Sequence, residues 1–327
     1  MAAHYPKVRL VYGDLDSFDL ILEESAKADI VCSKHSSLKG TQNYSHTTTI
    51  DWANADHPGA AKAILQGLAS RPAGQPGFYI HTSGTGILTI DDKQIGSFGI
   101  AGHKVYDDWD GIGEVTSLPD AAPHRDVDKI VLAAEQQYGG AVKTAIVCPP
   151  TIYGRGRGPD NQRSVQVPAL ARCTLTEGHG IIVGEGQAYW TEVNVLDLSK
   201  LYLSLVDDAV KGGGQATWGL QGYYFAQSDE FMWGDIAREV AKAAHSKGYI
   251  ASTECISYSP SDVDKLSHAA SRLWGQNSRS RAIRAKKLLG WKLTAKTLKE
   301  DIPEAVEIEA LSLGLQKKHA EIAAGNV

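Results

Sequence analysis

Apolar residues recur along this chain in two rhythms. Over residues 18–28, 58–69 and 123–138 they fall three and four apart, the spacing of one face of a helix. Residues 8–12, 29–32, 77–82 and 144–148 are short apolar runs that read as strands. Gly139-Gly140 closes the helix at 123–138. Strands alternating with helices at this spacing predict an α/β fold with a parallel sheet covered on both faces. From residue 159 onward the pattern loosens. Helices are predicted at 167–177, 196–209, 232–246, 261–271 and 279–289, separated by short strands and polar loops. No internal repeat is visible.

The 327 residues are enough for one large α/β domain, or for one with a small appended lobe. A hydrophobic fraction of 43% suits a globular chain with a sizeable core. The net charge of −5 offers no general attraction for nucleic acid. Two basic runs, 279–287 and 292–299, are interleaved with apolar residues and read as solvated helix faces. Cys32, Cys148, Cys173 and Cys255 are widely spaced and no C-x-x-C occurs, so neither a metal site nor a disulfide framework is expected. Cys148 ends an apolar strand and reads as a small buried hydrophobe. No apolar run reaches membrane-spanning length, and residues 1–7 lack the apolar core of a signal peptide. The expectation is a soluble cytoplasmic protein.

The most informative stretch is 143–157, KTAIVCPPTIYGRGR. A strand runs straight into Pro149-Pro150, and a tight turn follows with Tyr153-Gly154, Gly156 and Gly158. Ligands of open α/β sheets sit at the carboxyl ends of the strands. Two prolines there remove two backbone donors and stiffen that edge. On its own the pattern equally describes a rigid turn with no ligand. The segment closely resembles the post-strand motif of the extended short-chain dehydrogenases/reductases, the NAD-dependent epimerase/dehydratase family. Further pieces resemble the same family in order: residues 11–15 (VYGDL), 78–85 (FYIHTSGT), 183–186 (VGEG), 190–198 (WTEVNVLDL) and 288–291 (LLGW). The resemblance is strongest to fungal proteins.

It implies a Rossmann-like parallel sheet with helices on both faces and a smaller C-terminal α+β lobe. Residues 1–160 would form the NAD(P)-binding part. Residues 161–327 would form a substrate lobe interleaved with it. NAD or NADP would be the cofactor and a small molecule the substrate, with room for a homodimer. Ser83 matches the catalytic serine, flanked by Thr82 and Thr85; a Ser-Gly-Thr at a strand end also suits a turn that binds its own backbone. Lys129 matches the family lysine, which holds the nicotinamide ribose. Four residues earlier, where the family has its tyrosine, stands Arg125. Arginine keeps its proton, so it would stabilise an oxyanion or a carboxylate rather than act as acid/base. The adjacent His124 carries an imidazole able to exchange a proton but points about 100° away from Arg125 on a regular helix. A solvated helix start describes both equally well, and Lys129 equally suits the surface.

For the cofactor the resemblance implies Asp14 at the adenine with Leu15 packing on the ring, and Thr82, Lys129, Pro149, Pro150 and Ile152 near the nicotinamide. For the substrate it implies Tyr106, Asn161, Arg163, Ser164 and Trp190. Residues 105–113, with Tyr106 and Trp109, would form a segment able to swing over the site. Asp197 matches an aspartate that caps a helix. The function implied is an NAD(P)-dependent oxidoreductase or epimerase acting on a hydroxyl or carbonyl carbon. The alternative is a non-catalytic binding or regulatory protein derived from the family.

Arg125 in place of the tyrosine and a missing glycine-rich turn favour that alternative. Two anomalies stand near the start of the chain. The chain opens at what resembles the family's third strand, and no stretch supplies the Gly-x-x-Gly-x-x-Gly turn in its place in the order. Residues 33–51 are polar and nearly free of large aliphatics, and they interrupt a strand. An imperfect gene model accounts for both, as does a truncated paralogue with a surface loop. Cofactor binding is expected to be weak in either case.

Overall fold

The computed structural model describes residues 9–33, 55–158 and 161–315. All but Ser33 of the polar stretch 33–51 lies outside them, as does Val8. In chain order the first half contains α1 (Phe18–Ala26), β1 (Ile30–Cys32), α2 (Pro58–Ala69), β2 (Gly77–Thr82), α3 (Ile90–Ile95), β3 (Tyr106–Asp107), α4 (Ile112–Val115), α5 (Arg125–Gln137) and β4 (Val142–Cys148). The second half contains β5 (Thr151–Tyr153), α6 (Gln166–Glu177), β6 (Gly180–Val183), β7 (Tyr189–Asn194), α7 (Val195–Val210), β8 (Tyr223–Phe225), β9 (Asp229–Met232), α8 (Trp233–Ser246), β10 (Cys255–Tyr258), α9 (Pro260–Leu266), α10 (Ala270–Gly275), β11 (Ser280–Arg281), α11 (Arg284–Leu289) and α12 (Leu298–Ser312).

The main sheet has the order β1-β2-β4-β8, and every pairing in it is parallel. Parallel strands are buried on both faces, which is why β2 and β4 read as continuous apolar runs. On one face lie α2 and α5. On the other lies α7, whose Tyr202 hydroxyl meets Thr82 Oγ1. The helices α1 and α2 approach closely at Gly67, where a Cβ would sit 2.4 Å from the Leu22 carbonyl oxygen. The remaining strands form a mixed β5-β7-β9 sheet and the pairs β6-β10 and β3-β11.

Three expectations fail. Residues 9–12 form no strand, because they pair with no neighbour among the described residues, and an isolated extended segment gains nothing over hydration. The helix predicted at 261–271 is two, α9 and α10, broken where Ala269 takes a left-handed φ of 56°. The helix predicted at 279–289 begins only at Arg284, because Ser280–Arg281 pairs with β3 instead. Three helices were not foreseen: the short α3 and α4, and α12, which is signalled by a capping box, Thr297 and Glu300, that ends the basic run.

Two buried clusters interleave along the chain. The first surrounds the main sheet and takes in Ile80, Val147, Leu201 and Phe225, but also Trp291 from far along the chain. The second, with Leu170, Trp190, Trp233, Val240 and Val306, lies under the mixed sheet.

Buried carboxylates tie these parts together. Asp108 accepts the backbone N–H groups of Phe225, Ile283 and Arg284 at 2.8–2.9 Å, joining the end of β8 to the start of α11. Asp197 accepts those of Thr294 and Ala295 at 3.0 and 3.1 Å, and its own carbonyl takes the Trp291 Nε1 proton at 2.8 Å. Asp197 is therefore not the cap of α7; Asn194 is, accepting from Leu196 N at 3.0 Å. Arg125 is buried, with Nε on the Leu118 carbonyl at 2.9 Å and Nη2 on the Thr116 carbonyl at 2.6 Å.

Replacing Arg125 with alanine leaves those two carbonyls unmatched and should cost about 3 kcal/mol in urea unfolding. A loss below about 1 kcal/mol would contradict the bracing role. Glu192 on β7 carries a second consequence. Burial pushes its carboxyl up to about 7, against the pull of the Leu298 N–H. Between about pH 4.5 and 7 the folded protein keeps a proton that the unfolded chain has released. Stability is therefore full below that window and falls as pH rises through it. Glu192→Gln should gain on the wild type between pH 5 and pH 8 in urea unfolding; a gap that does not move with pH would refute this.

Candidate active site

The β2–β4 ladder continues past the strand ends. Ser83 N donates to the Val147 carbonyl at 2.9 Å, and Thr85 N donates to the Pro149 carbonyl at 3.0 Å. The chain then enters a 3-10 turn over Thr85–Thr89. From the C-terminal half, Ser278 Oγ donates to the Thr85 carbonyl at 2.6 Å. The hydroxyls of Thr85 and Thr151 are buried here without a hydrogen-bond partner.

Ser83 is buried, and its hydroxyl donates to Asp128 Oδ2 on α5 at 3.1 Å. The same oxygen accepts the Tyr223 hydroxyl at 3.2 Å. Asp128 Oδ1 makes no hydrogen bond and lies 3.8 Å from His81 Nε2. His81 Nδ1 in turn meets Ser33 Oγ at 3.1 Å and the Tyr79 hydroxyl at 3.2 Å. Asp128 is completely buried. That burial pushes its carboxyl up to about 6, although His124, Ser83, Tyr223 and Arg125 all favour the charge. Burial together with the Asp128 charge holds the Tyr223 phenol well above its ordinary range, so it serves as a donor to Asp128.

One turn before Asp128, His124 caps α5 with a left-handed φ of 63°. Its Nδ1 lies 2.6 Å from Asp56 Oδ1, just before α2. Its Nε2 faces the turn after β2: a Cβ on Gly84 would be 3.3 Å from it, and one on Gly86 3.5 Å. Both glycines and His124 are only half-buried, so they form the open side of the site. Arg272 on α10 reaches the same turn, its Nη1 3.9 Å from where a Gly86 Cβ would stand.

The structure thus brings together Ser83, His124 and Asp128, with Thr82, Thr85, Pro149 and Pro150 beside them on the ends of β2 and β4. It does not bring Arg125 or Lys129 to Ser83. Arg125 spends its guanidinium on the carbonyls of the 116–118 turn. Lys129 binds Asp120 at 2.8 Å in a groove of about 480 Å³ with Lys62, Gln66 and Ile130, about 100° around α5 from Asp128. The helical pair facing Ser83 is displaced by one residue from the register the resemblance implies. Its signal was in the sequence: Asp128 sits on the apolar stripe with Val127 and Val131, where a lone polar residue calls for a partner.

Asp14 is exposed and accepts Asp16 N at 3.1 Å and Ser17 Oγ at 2.7 Å in the turn before α1; the Ser17 bond holds its carboxyl below the usual range. Leu15 packs on the first core, and Ile152 packs there too. Tyr106 is buried in β3 with its hydroxyl on Asp91 at 3.0 Å. The expected swinging segment is pinned, since Asp107 accepts the N–H groups of Trp109 and Gly111 at 2.9 Å and Trp109 lies under Lys287 and Arg284. Arg163 pairs with Glu309 at 2.5 Å, while Asn161 accepts Arg163 N and the Ser164 carbonyl takes Arg163 Nη1. Trp190 is buried edge-on to Trp233, its Nε1 without a partner. The spacing Gly96-x-x-Gly99-x-x-Gly102 does occur, but Gly96 ends α3 and Gly99 packs on the Val183 carbonyl, so no strand feeds it into a helix.

No protein-family model matches the chain. The oxidase ucsJ of Acremonium sp is 33% identical over 322 residues, covering 96% of this chain and 87% of that protein. Among solved structures, the UDP-glucose 4-epimerase of Thermotoga maritima, solved with UDP-glucose, superposes with a TM-score of 0.59 at 13% identity, over 92% of this chain and 84% of the other. The dTDP-glucose 4,6-dehydratase DesIV of Streptomyces venezuelae, solved with NAD bound, gives 0.60 at 14% identity, over 95% and 82%. At 33% identity over nearly its whole length the chain belongs to the same family as the Acremonium oxidase, and the solved structures show that it shares the fold of the UDP-glucose epimerase and the dTDP-glucose dehydratase, the fold that the sequence resemblance implied.

Proposed function

We propose that this protein is an NAD(P)-dependent oxidoreductase or epimerase acting on a hydroxyl or carbonyl carbon of a small molecule. The observation that carries the reading is the buried Ser83 hydroxyl held by Asp128 at the carboxyl end of β2, where open α/β sheets bind their ligands. An ionised carboxylate only accepts, so Ser83 donates to Asp128 and its oxygen keeps acceptor capacity, suited to orienting a substrate hydroxyl. The name of the Acremonium relative, an oxidase, supports the reaction class, and the NAD in the Streptomyces structure supports the cofactor.

The residues present fit the reacting end of such a cofactor. Pro149 and Pro150 offer a wall without backbone donors, and the unpartnered hydroxyls of Thr85 and Thr151 offer hydrogen bonds. When bound, the nicotinamide supplies the hydride acceptor or donor. Among the described residues no glycine turn leads from a strand into a helix in the way a pyrophosphate requires. Affinity should accordingly be modest. In this reading the half before residue 160 serves the cofactor and the half after it the substrate. A second reading, a non-catalytic binding protein, is favoured by the engagement of Arg125 with carbonyls and of Lys129 with Asp120.

Calorimetric titration of the purified chain with NAD+, NADH, NADP+ and NADPH should show saturable binding of at least one, with Kd near about 0.1–1 mM. No binding of any of them overturns the reading; binding without turnover of any hydroxyl or carbonyl compound in a cofactor-coupled screen favours the second. For a substrate found in that screen, Ser83→Ala should lower kcat by about 10²-fold or more while the melting temperature stays close to that of the wild type. Unchanged kcat would remove Ser83 from the chemistry.

A further inference from the structure

His124 combines three features that rarely coincide on a solvated helix start. Its backbone is left-handed, a conformation that is strained for a side chain other than glycine and persists only where the surroundings enforce it. Its ring is held by a carboxylate from a separate element, Asp56, at 2.6 Å. Its other nitrogen lies against Gly84 and Gly86, the glycines on either side of Thr85, just after Ser83. The absence of a side chain at 84 eases the approach of the ring, since a Cβ there would stand 3.3 Å from Nε2.

We propose that His124, oriented by Asp56, is the residue that exchanges a proton with the reacting oxygen of the substrate, and that Asp128 is a positioning residue that fixes the direction of the Ser83 hydroxyl. The inference rests on the function proposed above and names the acid/base of that same site. Asp56 as a carboxylate only accepts, so the Nδ1 of a neutral His124 carries the hydrogen and Nε2 carries the lone pair. A substrate oxygen accepted at the open side of the turn lies between Ser83 and Nε2. Its O–H bond breaks as Nε2–H forms, the electron pair remains on oxygen, and the imidazolium is stabilised by Asp56 beside it and Asp128 one turn along α5. In the reverse direction the imidazolium returns the proton to the oxygen. Arg125 takes no part in this step, because it is braced against the carbonyls of residues 116 and 118.

The test has two readouts on the full chain. Nitrogen-15 NMR of the histidine rings, with the His124 signals identified by their loss in His124→Asn, reports which nitrogen bears the hydrogen. Asparagine accepts a left-handed backbone, so this variant should melt close to the wild type. The expected result is an Nδ1–H tautomer in the neutral ring and loss of that preference in Asp56→Asn. An Nε2–H tautomer in the wild type overturns the proposal. On a substrate from the cofactor-coupled screen, His124→Asn should lower kcat by about 10²–10⁴-fold with KM changed by less than about threefold. Asp128→Asn should mainly raise KM and should leave the His124 tautomer as it is. A kcat for His124→Asn within about threefold of the wild type also overturns the proposal. A wild type without turnover counts against the proposed function, and the tautomer then decides the role of His124 by itself.

Discussion

The parallel pairing of β2 with β4 is the constraint on which the rest is hung. Six consecutive residues of β2 face β4, and the hydrogen bonds carry on through Ser83 and Thr85 after both strands have ended. Parallel strands leave their carboxyl ends side by side, so a serine after one strand and a Pro-Pro after the other are brought together by the register alone. Everything in the site is then aimed at this edge: α5 from one face, α7 through Tyr202 from the other, and the 278 segment from the C-terminal half.

Asp197 and Asp128 are both buried, and they differ in their donors. Asp197 receives two backbone N–H groups and the Lys200 ammonium, which outweigh its burial and keep its carboxyl below the ordinary range. Asp128 receives two hydroxyls and leaves one oxygen unmatched, so burial wins and the carboxyl rises to about 6. Asp197 fastens the Trp291 segment to α7. Asp128 is expensive to keep as structure alone, and the role proposed for Ser83 gives it a purpose.

The architecture was legible because it depends on spacing. The helices at 58–69, 166–177 and 233–246 and the strands at 77–82 and 142–148 follow from apolar periodicity, and long periodic segments state it clearly. Failures came where a local preference met a tertiary partner: β3 captures residues 280–281, and the left-handed Ala269 divides a helix. In the site, Ser83 and the Pro-Pro turn could be read directly because they sit at strand ends. The partners on α5 could not be read from a motif register, since one position of shift turns a side chain by about 100°. Asp56 was out of reach of any local pattern. Its tie to His124 spans 68 residues and exists only once α2 and α5 are packed together.

The placement of Trp291 in the core of the main sheet has a consequence for how the chain is made. That sheet draws buried residues from Ile21 to Trp291, while the second core is assembled from segments lying between and beyond them. Neither half can close its interior when only the first half has left the ribosome. Loop closures over such sequence separations make for slow folding. The nascent chain must wait with the apolar strands of the main sheet unsealed, and exposure to aggregation during synthesis is the physical cost of interleaving two cores on one polypeptide.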